Sequence, residues 1–283
     1  MGVSRLKKVF MSRRAVSPII ATVLLLAIIV TGVSFVYFLA IPIITRMQDT
    51  AMIRRVENSM LLLGDNVLTV VNEGHSSERV TQFSYGKGTL LIYSYTHTET
   101  TQIIFQMLKD SSVQDEYYQR LGKVEYSVDT LSNIISPDSR LYVRGWQWNV
   151  VNGTQGEPNS DLDRIIIERI GSAQVNLFLD FRPRLYNYTD SNGNIYLTLS
   201  IVKLFVSPYL GSGIGAGTFG IMTSNQDVIV NNYNYTFVEA GTFTIQASFP
   251  QEGTVERAFS CWVDEGKVVN VEFVVTEVEV GIL

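Results

Sequence analysis

From Ala15 to Thr45 the chain carries no charged residue. The centre of this run, Ile19 to Ile44, reads IIATVLLLAIIVTGVSFVYFLAIPII, and about 20 such residues span a bilayer as a helix. The 31 uncharged residues at ~1.5 Å rise extend about 46 Å, against a hydrocarbon layer of ~30 Å. Such a helix must tilt, or present apolar surface that something else covers. Before it stand Arg5, Lys7, Lys8, Arg13 and Arg14 with no acidic residue; after it come Arg46, Asp49, Arg54, Arg55 and Glu57. That asymmetry places the N-terminus in the cytoplasm and everything beyond residue 45 outside the cell.

A cleaved secretory signal has an apolar stretch of about 7–15 residues ending in small residues. This run is much longer, and Phe38-Leu39-Ala40 makes a poor cleavage site. Ser12-Arg13-Arg14 fits a twin-arginine export signal, but that motif does not account for Val16-Ser17-Pro18 directly before the apolar run.

The segment Arg13-Arg14-Ala15-Val16-Ser17-Pro18-Ile19-Ile20 resembles the processing site of archaeal type IV pilins and related pilin-like proteins. In that family a membrane aspartyl prepilin peptidase cuts on the cytoplasmic side, and the apolar helix follows the cut. The resemblance implies that Arg13 and Arg14 are the charged recognition positions, Ala15 the last leader residue and Val16 the mature N-terminus. It covers residues 13–45. Bacterial type IV pilins carry a glutamate at the fifth mature position, here Ile20; the archaeal pattern commonly lacks it. The chemistry of the segment agrees. Pro18 falls in the first helical turn, where a missing N–H costs nothing, while Pro42 lies deep in the helix and is expected to kink or loosen it.

Met52, Val56, Met60, Leu63 and Val67 recur at intervals of three and four, between Arg54, Arg55, Glu57, Asn58 and Asp65. This predicts an amphipathic extension ending around Val71, with Asn72 and Gly74 as stop signals. Beyond Arg79 the grammar becomes that of strands. Those expected are Gly88–Tyr95, Thr101–Gln106, Arg164–Glu168, Ala173–Phe181, Ile195–Phe205, Val228–Phe237, Thr242–Phe249, Ala258–Val263 and Val268–Val280, all rich in β-branched and aromatic residues. Asn152-Gly153, Asn192-Gly193 and Glu265-Gly266 read as turns, and Ser111–Leu121 as a second helix. The expected fold is an N-terminal transmembrane and amphipathic helix followed by a mostly-β extracellular domain, sandwich-like or an elongated β stack. Its divisions are a cleaved basic leader (1–15), a membrane or filament-core helix (16–45), the amphipathic extension (46–74) and the β-domain (75–283). A glycine-rich stretch at 211–220 is a candidate hinge between two subdomains. It lacks the lysine of a phosphate loop.

With the five leading basic residues set aside, 17 basic face 27 acidic residues, a net of −10. Phosphate binding needs a basic surface, so nucleic acid is not an expected partner. Cys261 is the one cysteine, so no intramolecular disulfide forms, and it reads as a buried strand residue. His75 and His97 sit in no ligand-spaced motif. Glu157, Asn159, Asp161 and Asp163 space oxygen side chains at every second residue, as a loop calcium site does, but calcium takes six to eight oxygens, and a solvated acidic turn is the better reading. The same holds for Asp190-Ser-Asn-Gly-Asn194. Asn152, Asn187 and Asn234 head N-x-T sequons beyond the anchor, as expected of glycosylation acceptors outside the cell. Trp146 and Trp148, with Tyr117, Tyr118, Tyr186, Tyr188, Tyr233 and Tyr235, either fill the core or form a sugar- or surface-binding face.

No residue pattern points to catalysis or to a cofactor, and a non-enzyme is expected. The leading expectation is a minor pilin or pseudopilin-type subunit, since abundant pilins in this family are usually shorter. Its partners are the membrane, a prepilin peptidase and other pilin-like subunits met through the helix. The rival is a non-polymerising, membrane-tethered extracellular binding protein, for instance for polysaccharide. A third option is a tethered hydrolase of envelope glycans.

Overall fold

A computed structural model describes residues 18–96, 101–145, 151–152, 162–206, 217–250 and 257–283. One helix, α1 (Pro18–Glu73), runs through Pro42 without a break. By packing, the chain divides into two units, residues 1–49 and 50–283. The described residues of the first, 18–49, are all helical. The second holds the rest of α1 and every described strand.

The strands in chain order are β1 (Glu78–Tyr85), β2 (Thr89–Tyr93), β3 (Gln102–Lys109), β4 (Ser112–Arg120), β5 (Lys123–Asp129), β6 (Arg140–Arg144), β7 (Val151–Asn152) and β8 (Asp163–Ile170). They continue as β9 (Gln174–Phe181), β10 (Arg184–Thr189), β11 (Ile195–Phe205), β12 (Gly217–Thr236), β13 (Gly241–Ser248), β14 (Arg257–Val263) and β15 (Val268–Ile282). They form three sheets: β1-β12-β15-β11-β10-β7, β2-β5-β9-β8-β6 and β14-β13-β3-β4. All neighbours are antiparallel except β11–β15 and β10–β7.

Two apolar cores hold the second unit together. In the first, Ile53, Val56, Met60, Leu63 and Val67 of α1 pack against the five-stranded sheet and one end of the six-stranded sheet. The spacing of three and four that marks an amphipathic helix is thus the spacing of the buried stripe; Ile53, not Met52, begins it. In the second core, the four-stranded sheet covers the other end of the six-stranded sheet. Long strands serve both: β11 gives Val202 and Leu204 to the first and Leu197 and Leu199 to the second, and β15 gives Val278 and Val280, then Val271 and Phe273. The arrangement is sandwich-like at both ends, with one sheet shared.

Residues 217–220 of the candidate hinge are strand, paired to β1, and 211–216 lie outside the described residues. The helix expected at Ser111–Leu121 is instead β4, which pairs with β3. Asp110 and Ser111 both have positive φ, at 47° and 67°, the signature of a two-residue hairpin turn of type I′. The turn is pinned by Asp110, whose carboxylate accepts from the Thr242 N–H at 2.8 Å. Strands β1, β5, β6, β7 and β10 are not among those expected. Gly193 and Gly266 sit in their turns at φ 83° and 74°, where a side chain is disfavoured. α1 ends at Glu73 and the chain turns at Gly74, φ 89°. There the Val70 carbonyl accepts from the Gly74 N–H, from Ser77 Oγ at 2.8 Å and from Asn225 Nδ2, which satisfies an otherwise orphaned helix-end acceptor.

Candidate functional site

The feature that most needs a partner is the apolar part of α1. Seventeen large apolar side chains between Ile20 and Ile44 are exposed, Phe38 the most at 76%. Covering a side chain of this size stabilises by roughly 1.5–3 kcal/mol. The segment therefore leaves on the order of tens of kcal/mol unrealised in water. It is the one helix among the described residues long and apolar enough to cross a membrane, and this agrees with a single-pass membrane protein.

Polar groups within the run are met locally. Thr31 Oγ1 donates to the Ala27 carbonyl at 2.7 Å, which removes the cost of placing a hydroxyl in an apolar medium. Pro42 has no N–H to give the Phe38 carbonyl. Around that point Val33, Ser34, Tyr37, Phe38, Ile41 and Pro42 line a shallow groove on one helix face.

The other half of α1 is tied down by polar contacts. Asn66 Nδ2 donates to Thr81 Oγ1 of β1 at 2.8 Å, and Thr50 Oγ1 lies 2.7 Å from Ser132 Oγ. Arg144 of β6 bridges Asp65 of α1 at 2.5 Å and Asp163 of β8 at 2.8 Å. Burial alone lowers the Arg144 pKa, but the hydrogen bonds it donates to Asp65 and Asp163 outweigh it and the net shift is upward. Within the sheets Arg164 and Asp180 form a buried two-pronged pair, Nε to Oδ1 at 2.8 Å and Nη2 to Oδ2 at 2.5 Å. Lys203 and Glu277, paired across β11 and β15, approach to 2.8 Å. These ion pairs depend on strand register and on the docking of α1, and are not visible in the sequence.

The expected site residues are distributed as follows. Arg13, Arg14, Ala15 and Val16 lie outside the described residues, as do Glu157, Asn159, Asp161, His97, Trp146 and Trp148. Asp163, the fourth of the oxygen series, is buried and held by Arg144. Among the described residues no three His, Cys, Asp or Glu side chains gather as a metal set. The Asp190 carboxylate organises its own turn: Oδ1 accepts from the N–H groups of Asn192 and Asn194, both at 2.8 Å, and Oδ2 from Asn194 Nδ2 at 3.0 Å. The Asn194 side chain first, with these amides, holds the Asp190 pKa below the usual carboxylate range. Cys261 is half-buried rather than buried, and burial pushes its thiol up to about 11.

Asn187 and Asn234 are exposed, on β10 and β12; Asn152 lies in β7. Of the tyrosines, Tyr117 and Tyr235 belong to the core, whereas Tyr118, Tyr186 and Tyr188 are exposed. Tyr196, absent from the expected set, stacks on Tyr188 with ring centroids 4.6 Å apart and planes at 4°.

Residues 14–132 match the model of a family of unknown function (DUF7289). The matched stretch takes in α1 and β1 to β5 together. No curated protein and no solved structure matches the chain.

Proposed function

We propose that the chain is an archaeal pilin-like surface subunit, of the minor pilin or pseudopilin type. A prepilin peptidase removes residues 1–15, and the apolar helix from Val16 anchors the protein or packs among helices of other subunits. The β-domain stands outside the cell. The observation that carries the reading is the exposed apolar stretch Ile20–Ile44, supported by the resemblance of residues 13–45 to the family's processing site. A cut on the basic side of the helix leaves the anchor attached, which suits a segment whose whole length is apolar. The excess over the bilayer thickness has a use in this reading, because neighbouring helices cover each other and gain van der Waals contact along their length.

Mass spectrometry of the protein extracted from membranes tests the processing step. The expected N-terminus is Val16; an intact leader, or a cut beyond Ala40, contradicts the reading. Arg14→Glu and Ala15→Leu are expected to slow processing more than any change downstream of Thr45.

A further inference from the structure

At the end formed by β10 and the first halves of β11 and β15, the six-stranded sheet buries one face against the second core and turns its other face to solvent; farther along, that other face carries Val202, Leu204, Val278 and Val280 into the first core. Strand register aligns side chains on that outer face into rows. One row is Tyr188, Tyr196, Asn270 and Asn234, taken across β10, β11, β15 and β12. The next is Tyr186, Thr198, Glu272 and Asn232. Outward polar residues are ordinary on a sandwich; a graded row of rings followed by amides is not.

We infer that this face is a binding site for a neutral polysaccharide chain, seated along the row from Tyr188 to Asn234. Three observations point to that chemistry. The parallel stack of Tyr188 and Tyr196 stands at one end of the row, and Tyr188 remains 59% exposed. Beyond Leu185, β10 has no strand on its outer side among the described residues, so the stack stands at an open edge. The face of Tyr188 turned away from Tyr196 is electron-rich and takes the C–H groups of the sugar at that end of the chain. Next along the row, the Asn270 and Asn234 amides each offer donors and an acceptor, as sugar hydroxyls require. A row across four strands at ~4.8 Å spacing is about 14 Å long, which favours a chain of linked sugars over a single one.

The charge balance selects among ligands. Arg184, whose Nη1 donates to Tyr186 Oη at 2.9 Å, is a basic residue beside these rows, and Glu272, in the row of Tyr186, and Asp190, just beyond β10, supply two acidic ones. A near-neutral, slightly acidic surface attracts no polyanion. Glu272 accepts from Thr198 at 3.4 Å, a long bond that a sugar hydroxyl can better.

The test uses the full chain in detergent micelles, made in a host that adds no N-glycan, so that Asn234 is bare. The probes are cellulose, chitin, mannan and starch, with heparin as an anionic polymer. Retention by at least one neutral polysaccharide is expected. Tyr188→Ala should weaken it tenfold or more, Tyr188→Phe should preserve it because the ring face remains, and Tyr118→Ala on the four-stranded sheet should leave it unchanged. No retention by any neutral probe, retention by heparin alone, or equal retention of Tyr188→Ala overturns the inference. The assay reads solubilised chains, so it is independent of processing and assembly.

Discussion

Gly64 lies inside α1, where alanine is ordinarily the better helix former by about 1 kcal/mol. Here the preference is reversed. A Cβ at position 64 would run into the Asp163 carboxylate and sit 3.3 Å from its Cβ, and Asp163 is buried and held by Arg144. Overpacking costs about 1–3 kcal/mol, so Gly64→Ala is expected to lower stability, read as a lower midpoint in thermal unfolding. The Arg164–Asp180 pair gives a larger effect. Asp180→Ala removes the carboxylate that meets a buried guanidinium on two prongs and should cost about 3–5 kcal/mol, whereas Arg164→Met with Asp180→Leu should recover most of it. Cys261 sets a pH dependence. With its thiol pushed up to about 11, the folded chain keeps the proton while an unfolded thiol ionises near 8.5. The group's contribution is therefore intact below the unfolded value and declines as pH rises towards the folded one. Alkylation of the folded chain by iodoacetamide should accelerate steadily up to about pH 11; a plateau near pH 9 would show an unperturbed thiol.

At the scale of elements, α1 was legible because its signals are local: an unbroken apolar run, then a stripe at intervals of three and four, then Gly74. β11 was legible from Ile195 to Phe205 for the same reason. β4 was not, since Ser112–Arg120 is polar and exposed along most of its length and lacks the apolar alternation that marks a strand. Its turn carries Asp110-Ser111 in place of Asn-Gly. β5 alternates regularly, with Val124, Tyr126 and Val128 buried and Lys123, Glu125 and Ser127 half-buried, a signal present in the sequence but short. The Tyr188–Tyr196 row was beyond reach for another reason: it depends on the register of four strands, and two of those pairings join distant parts of the chain. For the helix, close approach between copies needs small side chains, and Ala27, Thr31 and Ser34 have helical spacing. Thr31 already spends its hydroxyl on Ala27, so the stripe makes no polar demand on a neighbour. Ala27→Phe with Thr31→Phe should leave the protein resistant to alkaline extraction from membranes yet remove it from crosslinked multimers.

Taken whole, the molecule joins a membrane-length apolar helix to a β-domain whose two cores share one sheet. That sharing could not be read from the sequence, because β1 pairs with β12 and β11 with β15 across long stretches of chain. On the proposed orientation, protease added outside intact cells digests the β-domain and spares a fragment containing the apolar helix; protection of the whole domain would contradict the charge asymmetry. The central claim is that the processed helix is an assembly element. Crosslinking in native membranes, followed by sizing, with and without prepilin peptidase, tests it most directly. A ladder of multimers that depends on processing is the predicted result; a strictly monomeric chain in both conditions would contradict it and leave a tethered binding protein.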